Sequence, residues 1–265
     1  NIYASRTGLQ NNKDYTGNVL RYNGDSWVVI GGGNPAPGSW EYALRVPKIL
    51  WANNSLYASL FDPATMNYAV IWKLNGSSWS KIGGTGINQS WYATGAQYIR
   101  ASTKHSGKLY FGLGQSYSAL IYEYDGTTAS IIAGNGINNS WPNDTNHSSI
   151  YNLVSHKGQL YASVAGGNGY TEVWRYNNTT WEKIGGGNAS YNGSWGGAYS
   201  AYGTKGMTSW KGDLYTIVEN SIRGFDVWKW NGATWASATP FGWPSSLRNA
   251  MGLTIFQDKL CTAGG

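Results

Sequence analysis

One nine-residue segment, met five times, limits what this chain can fold into more than any other feature. Residues 173–181 read Val-Trp-Arg-Tyr-Asn-Asn-Thr-Thr-Trp, and residues 19–27, 71–79, 121–129 and 227–235 are variants of them. Residues 71–79 read Ile-Trp-Lys-Leu-Asn-Gly-Ser-Ser-Trp, for example, and 227–235 read Val-Trp-Lys-Trp-Asn-Gly-Ala-Thr-Trp. The segments end at positions 27, 79, 129, 181 and 235, in steps of 52, 50, 52 and 54. A period near 50 residues marks an array of supersecondary units, each burying its apolar face against the next.

Each period carries four strand-like runs, A to D. In the best-defined copy, residues 206–210 read as A, 214–218 as B, 225–230 as C and 234–238 as D. These are short runs rich in β-branched and aromatic residues, bounded by turn chemistry. Lys211-Gly212-Asp213 turns A into B. Asn231-Gly232 turns C into D, where Asn-Gly suits the positive φ of a tight hairpin. Strand B recurs as Leu-Tyr at 56–57, 109–110, 160–161 and 214–215. Residues 1–5 already read as a strand B, while 252–256 read as an A and 259–263 as another B. The expected fold is therefore all-β, a single domain over 1–265. It is a five-bladed β-propeller of four-stranded antiparallel blades, closed by N- and C-terminal strands sharing one blade. One of the two terminal B strands is surplus.

Composition agrees with that fold and removes several functions. Aromatics make up 15% of the residues and charged side chains only 12%, with 37 glycines. No apolar run approaches the roughly 18 residues that would span a bilayer, so no membrane insertion is expected. No signal peptide is visible at Asn1, and the chain reads as a mature form that is extracellular or surface-exposed. Net charge is +6, but the lysines and arginines are scattered. Nucleic-acid binding calls for a basic stripe, so no nucleic-acid partner is expected. The single cysteine, Cys261, permits no internal disulfide and no thiolate metal site. It stands where other copies have Tyr, so it reads as a buried small hydrophobe.

Catalysis finds little to stand on. A glycosidase needs two carboxylates flanking the scissile bond, and the inner-strand runs contain no Asp or Glu. The loop acids Glu41, Asp62, Asp144, Glu219 and Asp226 fall at unrelated repeat positions and read as solvated charge. His105 and His156 share one place before the A–B turn and read as turn polarity rather than metal ligands. No catalytic residue, metal or cofactor is expected.

Binding chemistry is better represented. Strand D is followed by a long loop that ends in Ser-Trp in four copies, at Trp40, Trp91, Trp141 and Trp195. A Trp offers a flat apolar face and one N–H donor, which suits the C–H face of a sugar. Polar neighbours precede three of the four: Asn88 and Gln89, Asn138 and Asn139, and Asn192. Trp91, Trp141 and Trp195 are thus expected to be partly exposed stacking platforms. The same repetition equally suits rings wedged between blades. Trp27, Trp79, Trp181 and Trp235, which follow the C–D turn, read as blade-to-blade core. Arg45, Arg100, Lys205 and Arg248 recur just before strand A. They would rim the channel, where they hold an anion or an acidic sugar, or bond loop carbonyls.

The Tyr-Asn/Asp-Gly-x-x-Trp turn and the Gly-Lys-Leu-Tyr strand resemble β-propeller repeats of bacterial and metagenomic proteins. The resemblance covers essentially the whole chain. Asn75-Gly76-Ser77-Ser78-Trp79 is similar to the end of a sialidase Asp-box, but the leading Ser-x-Asp is missing. Blade number and loop-borne Trp are similar to five-bladed tachylectin-2-type lectins. That resemblance implies a non-catalytic, multivalent carbohydrate-binding propeller whose partners are glycans or glycoconjugates. The alternative is a protein-interaction or structural module of a larger surface or appendage assembly, and the third reading is a glycoside-processing enzyme.

Overall fold

The computed structural model describes residues 2–6, 17–32, 40, 45–62, 68–84, 86–91, 96–115, 118–144, 146–166, 171–187, 191–195, 204–220, 224–239 and 250–264. The strand pairs are antiparallel. β1 (Ile2–Arg6), β2 (Asn18–Tyr22) and β3 (Trp27–Gly31) form a three-stranded sheet. β4 (Arg45–Ala52), β5 (Ser55–Asp62), β6 (Tyr68–Asn75) and β7 (Ser78–Gly83) form a four-stranded one in sequence order. β8 (Ala96–His105) pairs with β9 (Lys108–Gln115), and β10 (Leu120–Tyr124) neighbours β11 (Ala129–Ala133). β12 (Ser149–His156), β13 (Gln159–Ala165), β14 (Thr171–Tyr176) and β15 (Trp181–Gly186) pair in order. So do β16 (Thr204–Trp210), β17 (Asp213–Asn220), β18 (Gly224–Trp230) and β19 (Trp235–Ser237). β20 (Ala250–Phe256) and β21 (Lys259–Gly264) make a two-stranded sheet.

The A-B-C-D order read from the sequence is the order of hydrogen-bonded neighbours in the complete sheets. β20–β21 and β1–β3 are separate sheets. The surplus strand is accounted for: β1 takes the edge of β2, from Ile2↔Tyr22 to Arg6↔Asn18, that β21 would need in a shared blade.

Turn chemistry also differs from the expectation. The tight two-residue turns with both central φ positive lie between A and B: Asn53-Asn54, Ser106-Gly107, Lys157-Gly158, Lys211-Gly212 and Gln257-Asp258. Four of the five C–D turns are longer and are built on one side-chain acceptor; the fifth, Gly76-Ser77, is a two-residue turn between the paired Asn75 and Ser78. Asn231 Oδ1 accepts the N–H groups of Ala233 and Thr234, both at 2.9 Å. Asn23, Asp125 and Asn177 do the same in their own repeats. An Asn or Asp there mimics a backbone turn, so only the following residue needs the left-handed region, as Gly232 (φ 109°) and Asn178 (φ 76°) do.

By contact density the chain divides into two compact units, residues 1–116 with 122–130, and 117–121 with 131–265. The core of the first holds Val19, Trp40, Leu56, Leu60, Val70 and Trp79. In the second, Tyr161, Val173, Ile184, Trp195, Leu214, Trp230 and Trp235 pack together, and a further cluster joins Tyr215, Ile217, Phe225, Val227 and Ala250.

Candidate functional site

The Ser-Trp loops are the place where the sequence put binding, and their geometry is repeated closely. A 3-10 turn at Ile87–Gln89 follows Gly86, and its counterpart at Ile137–Asn139 follows Gly136. Asn88, Gln89, Asn138, Asn139 and Asn192 all hold positive φ, between 51° and 60°. Asn tolerates that region better than most residues, which accounts for its recurrence. The side chains are then spent locally. Asn88, Asn138 and Asn192 each donate Nδ2–H to a strand-D carbonyl, at Ile82, Ile132 and Ile184 respectively. Asn139 Nδ2 donates to the carbonyl of Trp181 at 3.3 Å. The serine oxygens accept in turn from Gly84, Gly134 and Gly186 N–H, at 2.7–2.8 Å.

The tryptophans close the motif and are not platforms. Trp91, Trp141 and Trp195 are buried, at 4%, 0% and 2% exposure. Their indole N–H groups donate to the carbonyls of Ala69, Ala119 and Thr171 at 2.7, 2.7 and 3.1 Å, and Trp40 does so to Gly17 at 2.8 Å. Their ring faces are covered edge-on by a second aromatic: Trp91 by Tyr122, Trp141 by Trp174 and Trp181, Trp195 by Trp228 and Trp235. The expectation of partly exposed stacking rings is therefore corrected. An indole with its donor satisfied and both neighbours apolar gains more from burial than from facing water.

The recurrent cations are placed only in part. Arg248 lies outside the described residues, and so do the side chains of Arg45 and Lys205. Arg100 is exposed and stands 5.2 Å from the centroid of Tyr98, whose ring stacks on Phe61 at 5.2 Å. Tyr98 thus already has an aromatic and a cation as ring partners.

Other groups differ from their sequence readings. His105 and His156 are buried and lie edge-on to Tyr110 and Tyr161, so they are core rather than turn polarity. His156 Nδ1 bonds the Ser209 hydroxyl at 2.7 Å. Burial first, and then the neighbouring Lys157, hold its pKa below the usual imidazole value. Glu219 and Asp226 are buried instead of solvated. Glu41 lies outside the described residues, as does the side chain of Asp62. Trp79, Trp181 and Trp235 are buried as expected, but Trp27 is 47% exposed.

Sequence reasoning missed one constellation. His147 is buried between two carboxylates, with Nδ1 2.7 Å from Asp144 Oδ1 and Nε2 3.0 Å from Glu172 Oε2. Glu172 also accepts from Trp174 Nε1 at 2.8 Å and pairs with Lys183 Nζ at 3.2 Å. Burial alone pushes the imidazole pKa down, but its bonds to Glu172 and Asp144 outweigh that and hold it above its ordinary value. Burial likewise pushes Glu172 up, and His147, Lys183 and Trp174 bring it below its ordinary value. Both imidazole nitrogens face carboxylate oxygens. The network is a charged latch between the 144–147 loop and β14. The signal available in sequence was Asp144 three residues before His147; nothing local tied them to Glu172. Among the described residues no group of three acidic, His or Cys side chains is arranged to hold a metal.

The second feature is a groove. A cavity of about 290 Å³ is lined by Tyr215, Val227, Lys229 and Ala238 of one sheet and its loop, and by Leu253 and Leu260 of β20 and β21. Its walls are mostly apolar, with Lys229, paired to Asp213 at 3.0 Å, at the lip.

No protein-family model matches this chain, and no curated protein matches its sequence. Solved structures do resemble it. Ycf48, determined bound to a D1 peptide, aligns over 99% of this chain and 72% of its own, with a TM-score of 0.57 and 16% identity. A prolyl endopeptidase aligns over 95% of this chain and 36% of its own, at a TM-score of 0.60 and 12% identity. A protein of unknown function from Dyadobacter fermentans aligns over 94% and 79%, at 0.51 and 11%. At such identities the likeness is one of fold: the chain is all-β and β-propeller-like.

Proposed function

We propose that this protein is a non-catalytic interaction module, a propeller of five repeats of about 52 residues, and that its ligand is a polypeptide. The observation that carries the reading is the groove between Tyr215, Val227 and Ala238 on one side and Leu253 and Leu260 on the other. It is open and mostly apolar, and Lys229 stands at its lip. Uncovered apolar surface of this kind marks interaction sites. The neighbour Ycf48, solved with a bound peptide, supports the same class of ligand on a related fold. The carbohydrate-binding reading has lost the rings it rested on, because Trp91, Trp141 and Trp195 are packed.

The test is a pair of arrays probed with the full chain, one of overlapping peptides and one of glycans. The wild type is expected to retain apolar peptides carrying a carboxylate, and Ala238→Arg, which fills an exposed position in the groove, is expected to lose them. Retention on glycans alone would sink the reading.

A further inference from the structure

The second and fourth repeats build the same polar corner, and of the two only the fourth supplies an acid for it. There Trp174 Nε1 donates to Glu172 Oε2 at 2.8 Å, and Lys183 Nζ lies 3.2 Å from Glu172 Oε1. One carboxylate thus takes an indole N–H on one oxygen and an ammonium on the other. The second repeat keeps both donors in the same register. Trp72 pairs across its sheet with Ala58 and Lys81, as Trp174 does with Ala162 and Lys183. The Trp40 and Trp72 ring centroids are 5.8 Å apart at 58°, against 5.6 Å and 70° for Trp141 and Trp174. At the position of the acid, Leu60 faces Val70 where Val164 faces Glu172. The fifth repeat has Trp228 but Ser237 in place of the lysine.

The second repeat is left with two unmatched donors. Trp72 Nε1 is buried and meets no acceptor among the described residues. An indole nitrogen is a donor only, and a buried donor without a partner keeps the full cost of its desolvation. Lys81 Nζ stands 5.7 Å from the centroid of the same ring. No acid pairs with Lys81 among the described residues. Trp72 and Lys81 are half-buried, at the edge of the core cluster that Trp72 packs against. Buried polar atoms without partners are rare. This one lies beside an unpaired positive charge, at the place where another repeat of the same chain holds a carboxylate.

We propose that Trp72 Nε1 and Lys81 Nζ bind a carboxylate brought by a ligand, one oxygen to each donor, as Glu172 binds their counterparts. A carboxylate accepts on both oxygens, and its bond to an ammonium is charge-assisted. A neutral sugar hydroxyl would leave the ammonium unmatched. The site shares no residue with the groove at Tyr215 and Leu260, so it stands apart from the interaction reading. The counterpart of the His147 loop in the second repeat is residues 41–44. They lie outside the described residues and include Glu41, so the test separates that side chain from an external carboxylate.

Acetate is the probe. In the NMR spectrum of the isotope-labelled full chain, the Trp72 indole N–H is the signal that Trp72→Phe removes. Acetate at neutral pH should move that signal saturably, while chloride at equal ionic strength leaves it in place. Lys81→Gln should abolish the saturable shift. Val70→Glu supplies the carboxylate from within, at the position of Glu172. That variant should melt close to the wild type, and acetate should no longer move its Trp72 signal. A buried carboxylate without these donors would be strongly destabilising, so a Val70→Glu chain melting far below the wild type would overturn the proposal. So would the absence of any shift, and so would a shift that never saturates or that survives Lys81→Gln, since that is a general salt effect. A shift that appears only once Glu41→Gln is added would mean that the chain's own carboxylate fills the site, and the external ligand falls.

Discussion

A tryptophan after a serine can stack on a ligand or wedge between sheets, and the choice turns on where its N–H and its ring faces go. At Trp141 the N–H meets the Ala119 carbonyl and the ring meets Trp174 and Trp181, so nothing is left to offer a sugar. Trp141→Ala should therefore cost about 3–5 kcal/mol, read as a fall in the urea midpoint, with a smaller fall of about 1–3 kcal/mol for Ser140→Ala, which strands the Gly134 N–H. A change of less than 1 kcal/mol for Trp141→Ala would return the ring to the surface. His147 makes a prediction with a sign. Its folded pKa is raised, so its contribution is fully present below the unfolded value of about 6.5 and fades as pH rises through the folded value. Glu172 is lowered, so its contribution is present above about 4.5 and fades as pH falls through its folded value. The stability gap between wild type and His147→Gln should be widest between about pH 4.5 and 6.5 and should shrink towards pH 9, when urea midpoints are measured across that range. A gap that widens at alkaline pH would show that the imidazole does not work as a cation.

At the scale of the element, the hairpins divide their chemistry: A–B turns strain two residues into positive φ, and four of the five C–D turns spend a side-chain acceptor instead. Lys157 sits at φ 46° before Gly158, where a non-glycine residue pays for its Cβ. Asn-Gly is the preferred pair for such a turn. Lys157→Asn should then raise stability by about 0.5–1 kcal/mol, visible as a higher melting midpoint, and a loss would mean that the Lys157 side chain holds something the backbone does not require. The strands themselves were legible because alternation, Leu-Tyr in B and Val-Trp in C repeat at fixed spacing. The turn types were not, since Asn-Gly satisfies both an Asx acceptor and a positive φ. Nor was the fate of Asn88, Asn138 and Asn192 legible. A polar residue beside Ser-Trp is equally at home bonding a ligand or a carbonyl six to eight residues away. The latch at His147 escaped because its partner Glu172 is 25 residues distant and an acid does not recur at its position throughout: Asn18, Val70, Leu120 and Asp226 hold it in the other repeats.

For the molecule as a whole, the repeated sheets in each unit are joined by nearest-neighbour terms, so the energetics should be local to each junction, as in other repeat proteins. The glycine at the end of strand D tests this. A Cβ on Gly31 would lie 2.9 Å from Trp79 Nε1, and one on Gly185 would press closer still on Trp235 Nε1. Each glycine therefore leaves space for the tryptophan that follows one repeat later. Gly83 is different, because the residue one repeat on is Ala129. The atoms nearest its Cβ would belong to Trp91 and Ile71, at 3.4 Å and beyond. Ala133 occupies the same place beside Trp181 and is tolerated with the indole bond at 3.0 Å, so a methyl group there can be met by a shift of the ring. The expected cost of Gly185→Ala is then about 1–3 kcal/mol, the range of overpacking in a filled interface. Gly83→Ala should cost less than about 0.5 kcal/mol. Denaturant midpoints of the two variants decide it. Equal losses would mean that the glycines serve the backbone rather than the tryptophan, and that the junctions are not built on the indole. If the difference appears, installing Ala129→Trp alongside Gly83→Ala should bring back a penalty that Gly83→Ala alone lacks, since the only new neighbour is the ring.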